Sequence, residues 1–155
     1  MQSGNERKDK RMKIKVKKFS DTAVLPQKQS KGAAGYDLCA DISEPISIMP
    51  HSTVVIQSNI GVEIPEGYFG AVYARSGMST KRGLRPATCV SVIDSDYRGS
   101  IGLPIHNDTN EIRVVEPYER VAQIIFQKTL AAELVEVDEL DSTERGKCGF
   151  GSTGT

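Results

Sequence analysis

Tryptophan is absent from this sequence, aromatic residues make up only 6% of its 155 residues, and only three cysteines and two histidines are present. The cysteines are widely separated and odd in number, and no CxxC pair has the spacing of a zinc site, which argues against a disulfide scaffold or a structural metal. No apolar run approaches the roughly 18 residues that span a bilayer, and the first residues lack the apolar stretch of a signal peptide. We therefore expect a cytoplasmic protein with reduced thiols and no membrane association.

A net charge is also missing, because 20 lysine and arginine residues balance 20 aspartate and glutamate residues. The balance is uneven along the chain: residues 1–18 contain eight basic side chains against Glu6 and Asp9, a surplus of six. A chain without overall positive charge has no broad footprint for duplex nucleic acid, so no stable nucleic-acid binding is expected. Residues 1–12 are predicted to form a basic, disordered leader, whose charge would also suit a nuclear-localisation signal in a eukaryote.

Short apolar runs bounded by turn residues dominate the chain from Lys13 onward. Ile14 and Val16 alternate with lysines, a period of two that is typical of a strand with one wet face. Many such runs favour an all-β fold, a sandwich or distorted barrel, built as a single domain over residues 13–140. One short helix is predicted over residues 76–82, with Ser76 as its cap. The further predicted strands are residues 53–57, 60–64, 68–73, 89–93, 100–105, 112–115, 121–126 and 133–137.

The turn at residues 94–99 concentrates reactive groups between two predicted strands. Asp94 and Asp96 provide carboxylates and Tyr97 a phenol, and strands 89–93 and 100–105 would mount them on a rigid hairpin facing a cleft. Asp, Ser and Gly are also common in ordinary polar turns, because they hydrogen-bond locally. The turn alone therefore leaves a reactive site and a plain turn equally open.

The remaining cysteines and histidines have plainer interpretations. His51 and His106 fall at predicted turns and are interpreted as solvated loop residues. Cys39 and Cys89 are interpreted as strand residues with small apolar roles.

The C-terminal residues 141–155 are predicted to form a glycine-rich arm, because a segment with four glycines in fifteen residues cannot build a core. Arg145 supplies a cation, and residues 149–154 supply bare backbone amides, two hydroxyls and one aromatic ring. Amides cradle phosphate oxygens and a phenyl ring can cover a base, so this content suits a phosphorylated ligand with a flat ring. A floppy end without a role is the alternative.

Five segments stand out in order along the chain: A-G-Y-D-L at 34–38, R-S-G-M at 75–78, V-I-D-S-D-Y-R-G at 92–99, E-R-V-A-Q-I-I-F at 119–126 and R-G-K-C-G-F-G-S-T-G at 145–154. Together they resemble the trimeric deoxyuridine triphosphate nucleotidohydrolase (dUTPase) family, from about Lys13 to the C-terminus. The resemblance implies a jelly-roll-like β fold and a homotrimer with active sites at subunit interfaces, each closed by a neighbour's C-terminal arm. It also implies hydrolysis of dUTP to dUMP and pyrophosphate, with Mg²⁺ on the substrate triphosphate and no direct protein ligand to the metal.

The same resemblance implies roles for individual residues. Asp94 would deprotonate the water that attacks the α-phosphorus, with Gln123 near that water, and Tyr97 would exclude a ribose 2′-hydroxyl. Asp37 and Asp96 would be supporting acids. The residues expected to contact the base, sugar or phosphates of the substrate are Arg75, Ser76, Gly77, Thr88, Val92, Ile93, Tyr97, Gly102, Arg145, Gly149, Phe150, Gly151, Ser152 and Thr153.

Three positions depart from the usual pattern of the family. Thr88 and Ser91 stand where Asn and Gly are common, and Cys148 replaces a frequent Gly. A hydroxyl offers fewer hydrogen-bonding groups than an amide, and a side chain at position 91 limits close backbone approach. We therefore expect these changes to affect base affinity and turnover more than the stability of the fold. Two alternatives follow: a catalytically weak nucleotide-sensing protein on the same scaffold and, less favoured, a dCTP deaminase.

Overall fold

The computed structural model describes residues 12–149, and this part of the chain forms eleven strands and one short helix. The elements are β1 (Lys15–Lys18), β2 (Tyr36–Cys39), β3 (Ile46–Ile48), β4 (Thr53–Gln57), β5 (Ile60–Glu63), β6 (Tyr68–Ala74), α1 (Ser76–Arg82), β7 (Leu84–Pro86), β8 (Ser91–Ile93), β9 (Gly102–Asn107), β10 (Arg113–Val115) and β11 (Arg120–Lys128). All paired strands are antiparallel. The prediction of an all-β fold with at most one short helix is confirmed.

Two sheets form the body of the described chain. One has four strands in the order β2-β11-β6-β8, and the other has three in the order β4-β9-β7. Two-stranded ribbons, β1 with β5 and β10 with β3, lie beside them. Each larger sheet keeps two edge strands, so among the described residues neither sheet closes into a barrel.

One hydrophobic cluster joins the two larger sheets. Leu38, Val72 and Ile124 from the four-stranded sheet, and Leu103 and Ile105 from the three-stranded sheet, are each at most 1% exposed. Strand β9 buries alternate residues, as expected of a strand with one face on the core. Each fully buried Leu or Ile contributes about 1.5–3 kcal/mol, so this cluster fixes the strand ends that carry the polar groups described below.

Helix α1 has the predicted bounds but not the predicted cap. The cap residue is Arg75, whose extended backbone (φ −87°, ψ 138°) lets its carbonyl accept hydrogen bonds from the N–H groups of Met78 (3.0 Å) and Ser79 (3.1 Å). Ser76 is already the first helical residue, so its predicted role as cap is wrong. The helix ends at Gly83, which adopts the left-handed φ of 63° that glycine tolerates best.

Several predictions of local structure are wrong because pairing over long sequence distances decides them. Strand β8 pairs with β6, whereas β9 pairs with β4 and β7, so the turn at residues 94–99 crosses between two sheets and is not a hairpin. Residues 133–137 form no strand in the described chain. The sequence reading also missed β2, β3 and β7, which are only three or four residues long.

Three smaller predictions also need correction. Cys89 is an exposed residue with a φ of 60°, not a strand residue. His106 lies on β9, where its Nδ1 is 2.9 Å from the Thr53 hydroxyl, and is not a loop residue. The four residues of β1 are all exposed, so only Ile14, just before that strand, packs against the core.

Among residues 12–149, no helix has the length and apolar character needed to cross a membrane.

Candidate active site

The first polar cluster lies at the C-terminal end of β6, around the buried carboxylate of Asp37 on β2. Asp37 is 8% exposed, and its two oxygens accept hydrogen bonds from Arg75 Nε (3.0 Å) and Arg120 Nη1 (3.3 Å). Arg75 Nη1 also donates to the backbone carbonyl of Arg120 (2.9 Å). Two guanidinium groups against one carboxylate leave this cluster with an excess of positive charge, as expected where an anion binds.

A β-bulge in β11 brings Arg120 to this cluster. Arg120 pairs with Cys39 and Ala122 pairs with Leu38, so one extra residue, Val121, is inserted in β11. Without the bulge, Arg120 and Gln123 would lie on opposite faces, because side chains alternate along a strand. With it, both lie on the face that carries Asp37.

Gln123 is fixed in place from two sides. Its Nε2 donates to the carbonyl of Ala74 (2.9 Å), immediately before Arg75. Its Oε1 lies only 2.4 Å from where a Cβ on Gly35 would be. Gly35 is therefore required for a close approach to the Gln123 side chain, which is part-buried and does not simply face water.

The thiol of Cys39 lies beside the same carboxylate and lines a cavity of about 250 Å³ with Asp37, Tyr118 and Arg120. Burial raises the pKa of this thiol, and the negative charge of Asp37 raises it further. Cys39 is therefore a poor nucleophile.

Ser76 and Gly77 form the exposed first turn of α1, next to the Arg75 side chain. Backbone N–H groups in the first turn of a helix have no carbonyl partner within the helix. A Cβ on Gly77 would meet nothing within 4 Å, so the surface at this turn is open to a ligand.

The second polar cluster lies at the other end of β6, in the turn that follows β8. Asp94 is exposed, and its carbonyl accepts a hydrogen bond from the Tyr97 N–H (3.2 Å). The Tyr97 hydroxyl donates to the carbonyl of Ser100 (2.9 Å), and a Cβ on Gly99 would lie 2.4 Å from that hydroxyl. The tyrosine ring thus packs on the Gly99 backbone, and the turn is braced by its own residues.

Asp94 lines a groove of about 860 Å³ along β6 and β8. Val92 precedes it on the same side of β8 and is 57% exposed, which leaves an apolar surface beside the carboxylate. The groove also contains the cation Arg98 and two further acids, Glu66 and Asp96. Glu66 and Arg98 were not predicted from the sequence as site residues. Its lining residues are Ile64, Glu66, Tyr68, Phe69, Val92, Asp94, Ser95, Asp96, Arg98 and Thr129.

The two clusters do not meet within one chain. Ile93 pairs with Gly70, so Asp94 lies at the level of Phe69, and both line the groove. Arg75 follows six residues later along β6, a distance of roughly 20 Å at ~3.3 Å per residue. The structure thus brings together Asp37, Arg75 and Gln123 in one place, and Asp94, Asp96 and Tyr97 in another.

The residues predicted to select the base lie around the start of β8. The Thr88 and Ser91 hydroxyls are 2.6 Å apart, so the two unusual residues satisfy each other. Ile93 is buried, whereas Gly102 begins β9 in the other sheet and is only half-buried.

Arg145 and Gly149 are exposed in the described end of the chain, where Arg145 Nε donates to the Cys148 carbonyl (3.1 Å). Phe150, Gly151, Ser152 and Thr153 lie outside the described residues.

Arg120 was missed as a site residue, although it belongs to the E-R-V-A-Q-I-I-F segment. Its partner Asp37 is more than eighty residues away in sequence, and no local pattern reveals a bulge. The segment itself was the available signal.

Within residues 12–149, no group of three or more His, Cys, Asp or Glu side chains is arranged to hold a metal ion. Both oxygens of Asp37 are occupied by guanidinium groups, whereas Asp94 and Asp96 remain exposed. This donor set suits an ion such as Mg²⁺ that keeps several waters and is held mainly by the phosphates of a ligand.

Comparison with known proteins identifies the family. The dUTPase family model matches residues 21–154. A deoxyuridine 5′-triphosphate nucleotidohydrolase of Fusobacterium nucleatum is 41% identical over 143 residues, which cover 92% of this chain and 98% of that protein. The chain belongs to the dUTPase family.

Solved structures agree with this assignment. The dUTPase of Staphylococcus bacteriophage 80alpha with dUPNHPP superposes with a TM-score of 0.79 at 31% identity, over 92% of this chain and 99% of that one. A mutant dUTPase of phage phi11 of S. aureus, described as coordinating a structural Mg(II) ion, superposes with a TM-score of 0.73 at 27% identity, over 83% and 98% of the two chains. The jelly-roll-like fold implied by the resemblance is therefore confirmed.

Proposed function

We propose that the protein hydrolyses dUTP to dUMP and pyrophosphate, which limits uracil in DNA and supplies dUMP for dTTP synthesis. The observation that carries this proposal is the position of Asp94 in a chain of the dUTPase family. Its carboxylate is exposed at the rim of a groove of about 860 Å³, on a turn that Tyr97 and Gly99 brace. A general base must be both fixed and accessible to water, and Asp94 meets both requirements.

Asp94 accepts a proton from the water whose oxygen attacks the α-phosphorus. A bond forms between that oxygen and the α-phosphorus, the bond from the α-phosphorus to the bridging oxygen breaks, and pyrophosphate leaves with the bridging oxygen. Such a reaction depends mainly on positioning and on neutralising the phosphate charge. Arg75, Ser76 and Gly77 supply a cation and backbone donors for this purpose, and Gln123 orients the attacking water or the phosphates.

Recognition of the nucleoside is assigned to the segment around β8. The ring of Tyr97 covers the deoxyribose where a 2′-hydroxyl would clash. The backbone at Thr88, Val92, Ile93 and Gly102 contacts uracil. Asp37 and Asp96 act as supporting acids: Asp37 holds Arg75, and Asp96 orders water.

The active site is assembled from several copies of the chain. Asp94 and Arg75 are separated by roughly 20 Å along β6, so one copy does not present both to the same dUTP. A homotrimer with sites between neighbouring copies brings the nucleoside-binding turn of one copy to the Arg75 cluster of another. The exposed Leu130, Leu134 and Leu140, which are 88%, 95% and 89% exposed in the single chain, suit contact with a second copy.

The C-terminal arm closes the site. Residues 141–155 as an arm, 13–140 as one β domain and 1–12 as a leader remain predictions. In this arrangement Arg145 approaches the phosphates and Phe150 covers uracil, while Gly149, Gly151, Ser152 and Thr153 contact the terminal phosphate. A chain that ends at residue 144 is expected to form the same oligomer, measured by light scattering, with at least about 10-fold lower kcat because water enters the site.

We propose that Mg²⁺ would arrive with the triphosphate and would neutralise charge on the phosphates. The exposed Asp96, as a supporting acid, would contact its water shell. A cytoplasmic location is likewise a proposal, and the basic leader keeps a nuclear one open.

The experiment is an assay of the purified protein with dUTP, dCTP, dTTP and UTP in the presence of Mg²⁺. Release of pyrophosphate from dUTP alone supports the proposal. Stabilisation of the protein by dUTP without hydrolysis would instead indicate the nucleotide-sensing alternative, and ammonia released from dCTP would indicate a deaminase. Either result would overturn the proposed function.

A further inference from the structure

A part-buried ion pair ties the C-terminal end of α1 to the start of β11. Arg82, the last residue of α1, donates through Nη1 to the Glu119 carboxylate and through Nη2 to the Val114 carbonyl. The two side chains are only 32% and 22% exposed. Nε of Arg113 in turn donates to the Arg82 carbonyl (3.0 Å), so the end of the helix is held from both directions.

Glu119 belongs to a turn that is held in a strained conformation. Tyr118 has a φ of 62°, in the left-handed region that costs a residue with a side chain about 1–2 kcal/mol. The turn is nevertheless fully determined, because Glu119 N–H donates to the Glu116 carbonyl (3.1 Å) and Glu116 N–H donates to the Glu119 carboxylate (3.1 Å). Ala40 exchanges two further backbone hydrogen bonds with this turn, each 2.8 Å long. Strain that the surroundings enforce in this way is typical of functional positions.

The Arg82–Glu119 pair contacts the same end of β11 as the cluster of Arg75 and Asp37. At the start of α1, Arg75 donates to the carbonyl of Arg120, and at its end, Arg82 reaches the adjacent Glu119. Helix α1 is seven residues long, about 10 Å, so these two links fix both its ends against the start of β11. The orientation of Arg75 relative to Gln123 therefore depends on both.

We propose that Arg82 and Glu119 are positioning residues for dUTP hydrolysis, which hold helix α1 so that Arg75 meets the phosphates at the correct angle. The inference rests on the proposed function. Neither residue contacts the substrate. A misplacement of about 1 Å at a phosphate-binding group can lower the rate by up to ~100-fold, so the pair matters more for kcat than its contribution to stability suggests.

The test compares Glu119→Gln with the parent protein in steady-state hydrolysis of dUTP. Gln keeps the size of the side chain and an acceptor for the Glu116 N–H but removes the charge that holds Arg82. We expect kcat to fall at least about 10-fold while KM changes less than about threefold, because the nucleoside-binding turn lies at the other end of β6. Glu119→Asp, which restores the charge but shortens the side chain by one methylene, is expected to recover only part of kcat. Melting curves ensure that each variant is assayed while folded.

A matched control is Glu63→Gln, which breaks the ion pair between Lys15 Nζ and Glu63 Oε1 (2.7 Å). The Lys15 and Glu63 side chains are 78% and 46% exposed. This variant is expected to keep the parent kcat, because exposed pairs contribute little. A Glu119→Gln variant with the parent kcat, or a Glu119→Asp variant less active than Glu119→Gln, overturns the inference. If Glu119→Gln fails to fold, Arg82→Lys decides, since Lys keeps the charge but cannot reach both acceptors; parent kcat in that variant overturns the inference. An inactive parent protein would instead refute the proposed function itself.

Discussion

The two ends of β6 differ in how their polar side chains are held and in how far they are exposed to water. At the Arg75 end, charged groups are paired, part-buried and tied to the backbone of β11, with Asp37 only 8% exposed. At the Asp94 end, the carboxylate is exposed and the turn is braced only by its own residues. Groups that hold a charged ligand gain from rigid attachment to the core, whereas a proton acceptor must meet water. The comparison predicts that substitutions at the Arg75 end affect stability and activity together, and those at the Asp94 end affect activity alone.

The largest expected effect is that of Asp94→Asn. Loss of the proton acceptor should lower kcat by about 10²–10⁴-fold, with unchanged thermal stability and unchanged affinity for a non-hydrolysable dUTP analogue. Rapid-quench kinetics, calorimetric titration and melting curves measure the three quantities. Asp96→Asn in the same groove is the control, with a smaller loss. Hydrolysis by the Asp94 variant at the parent rate would rule out this residue as the base.

Gly35→Ala should show the opposite behaviour at the other end. The added Cβ would lie 2.4 Å from Gln123 Oε1, and overpacking of this kind typically costs about 1–3 kcal/mol. Both the free energy of unfolding, measured with urea, and kcat are expected to fall. Gly32→Ala is the matched control, because a Cβ there meets nothing within 4 Å. If Gly35→Ala lost activity at unchanged stability, the contrast between the two ends would fail.

Tyr118→Gly tests how much the strained turn before β11, at the Arg75 end, reduces the stability of the protein. Removal of the side chain relieves the left-handed strain at φ 62°, so the free energy of unfolding should rise by about 1 kcal/mol. Gly67→Ala, at a φ of 81° and with open space around the new Cβ, should shift it in the opposite direction. Urea denaturation measures both. A less stable Tyr118→Gly variant would mean that the ring contributes packing that outweighs the strain.

The smallest effect is a difference in thiol reactivity. Cys39 has a pKa above its ordinary value because of burial and the charge of Asp37, so it carries less thiolate at pH 8 than an ordinary thiol. Cys89 is exposed and lies just before β8. Alkylation followed by mass spectrometry should label Cys89 before Cys39, and raising the pH should accelerate labelling of Cys39. Equal rates at pH 8 would contradict the part-buried environment of Cys39.

The sequence predicted the parts of the structure that depend on local chemistry. The bounds of α1, the strands of the long apolar runs and the presence of a turn at residues 94–99 were all predicted, because periodicity and turn residues specify them. The sequence did not predict which strands pair with each other. The turn at 94–99 leads from one sheet to the other, and residues 133–137 pair with none of the edge strands of the described chain.

The candidate site shows the same division. Asp37, Arg75, Asp94 and Gln123 were named from their segments, but the sequence did not reveal that β6 separates them into two clusters. Cys89 was misread because a run of apolar residues looks like a strand, whereas its left-handed backbone places it in a turn. Geometry of this kind depends on contacts between distant residues, which no window of sequence contains.

The single extra residue in β11, Val121, interrupts the alternation of side chains between the two faces of the strand. Residues before Val121 therefore lie on the opposite face from the one that regular alternation would give them, and Arg120 shares a face with Gln123. Loss of the bulge at unchanged strand length would remove no side chain, yet it would turn the Arg120 guanidinium toward the interior and the Val121 side chain toward the Asp37 carboxylate. For this enzyme, the register of β11 against β2 matters as much to the arrangement of these side chains as their identity.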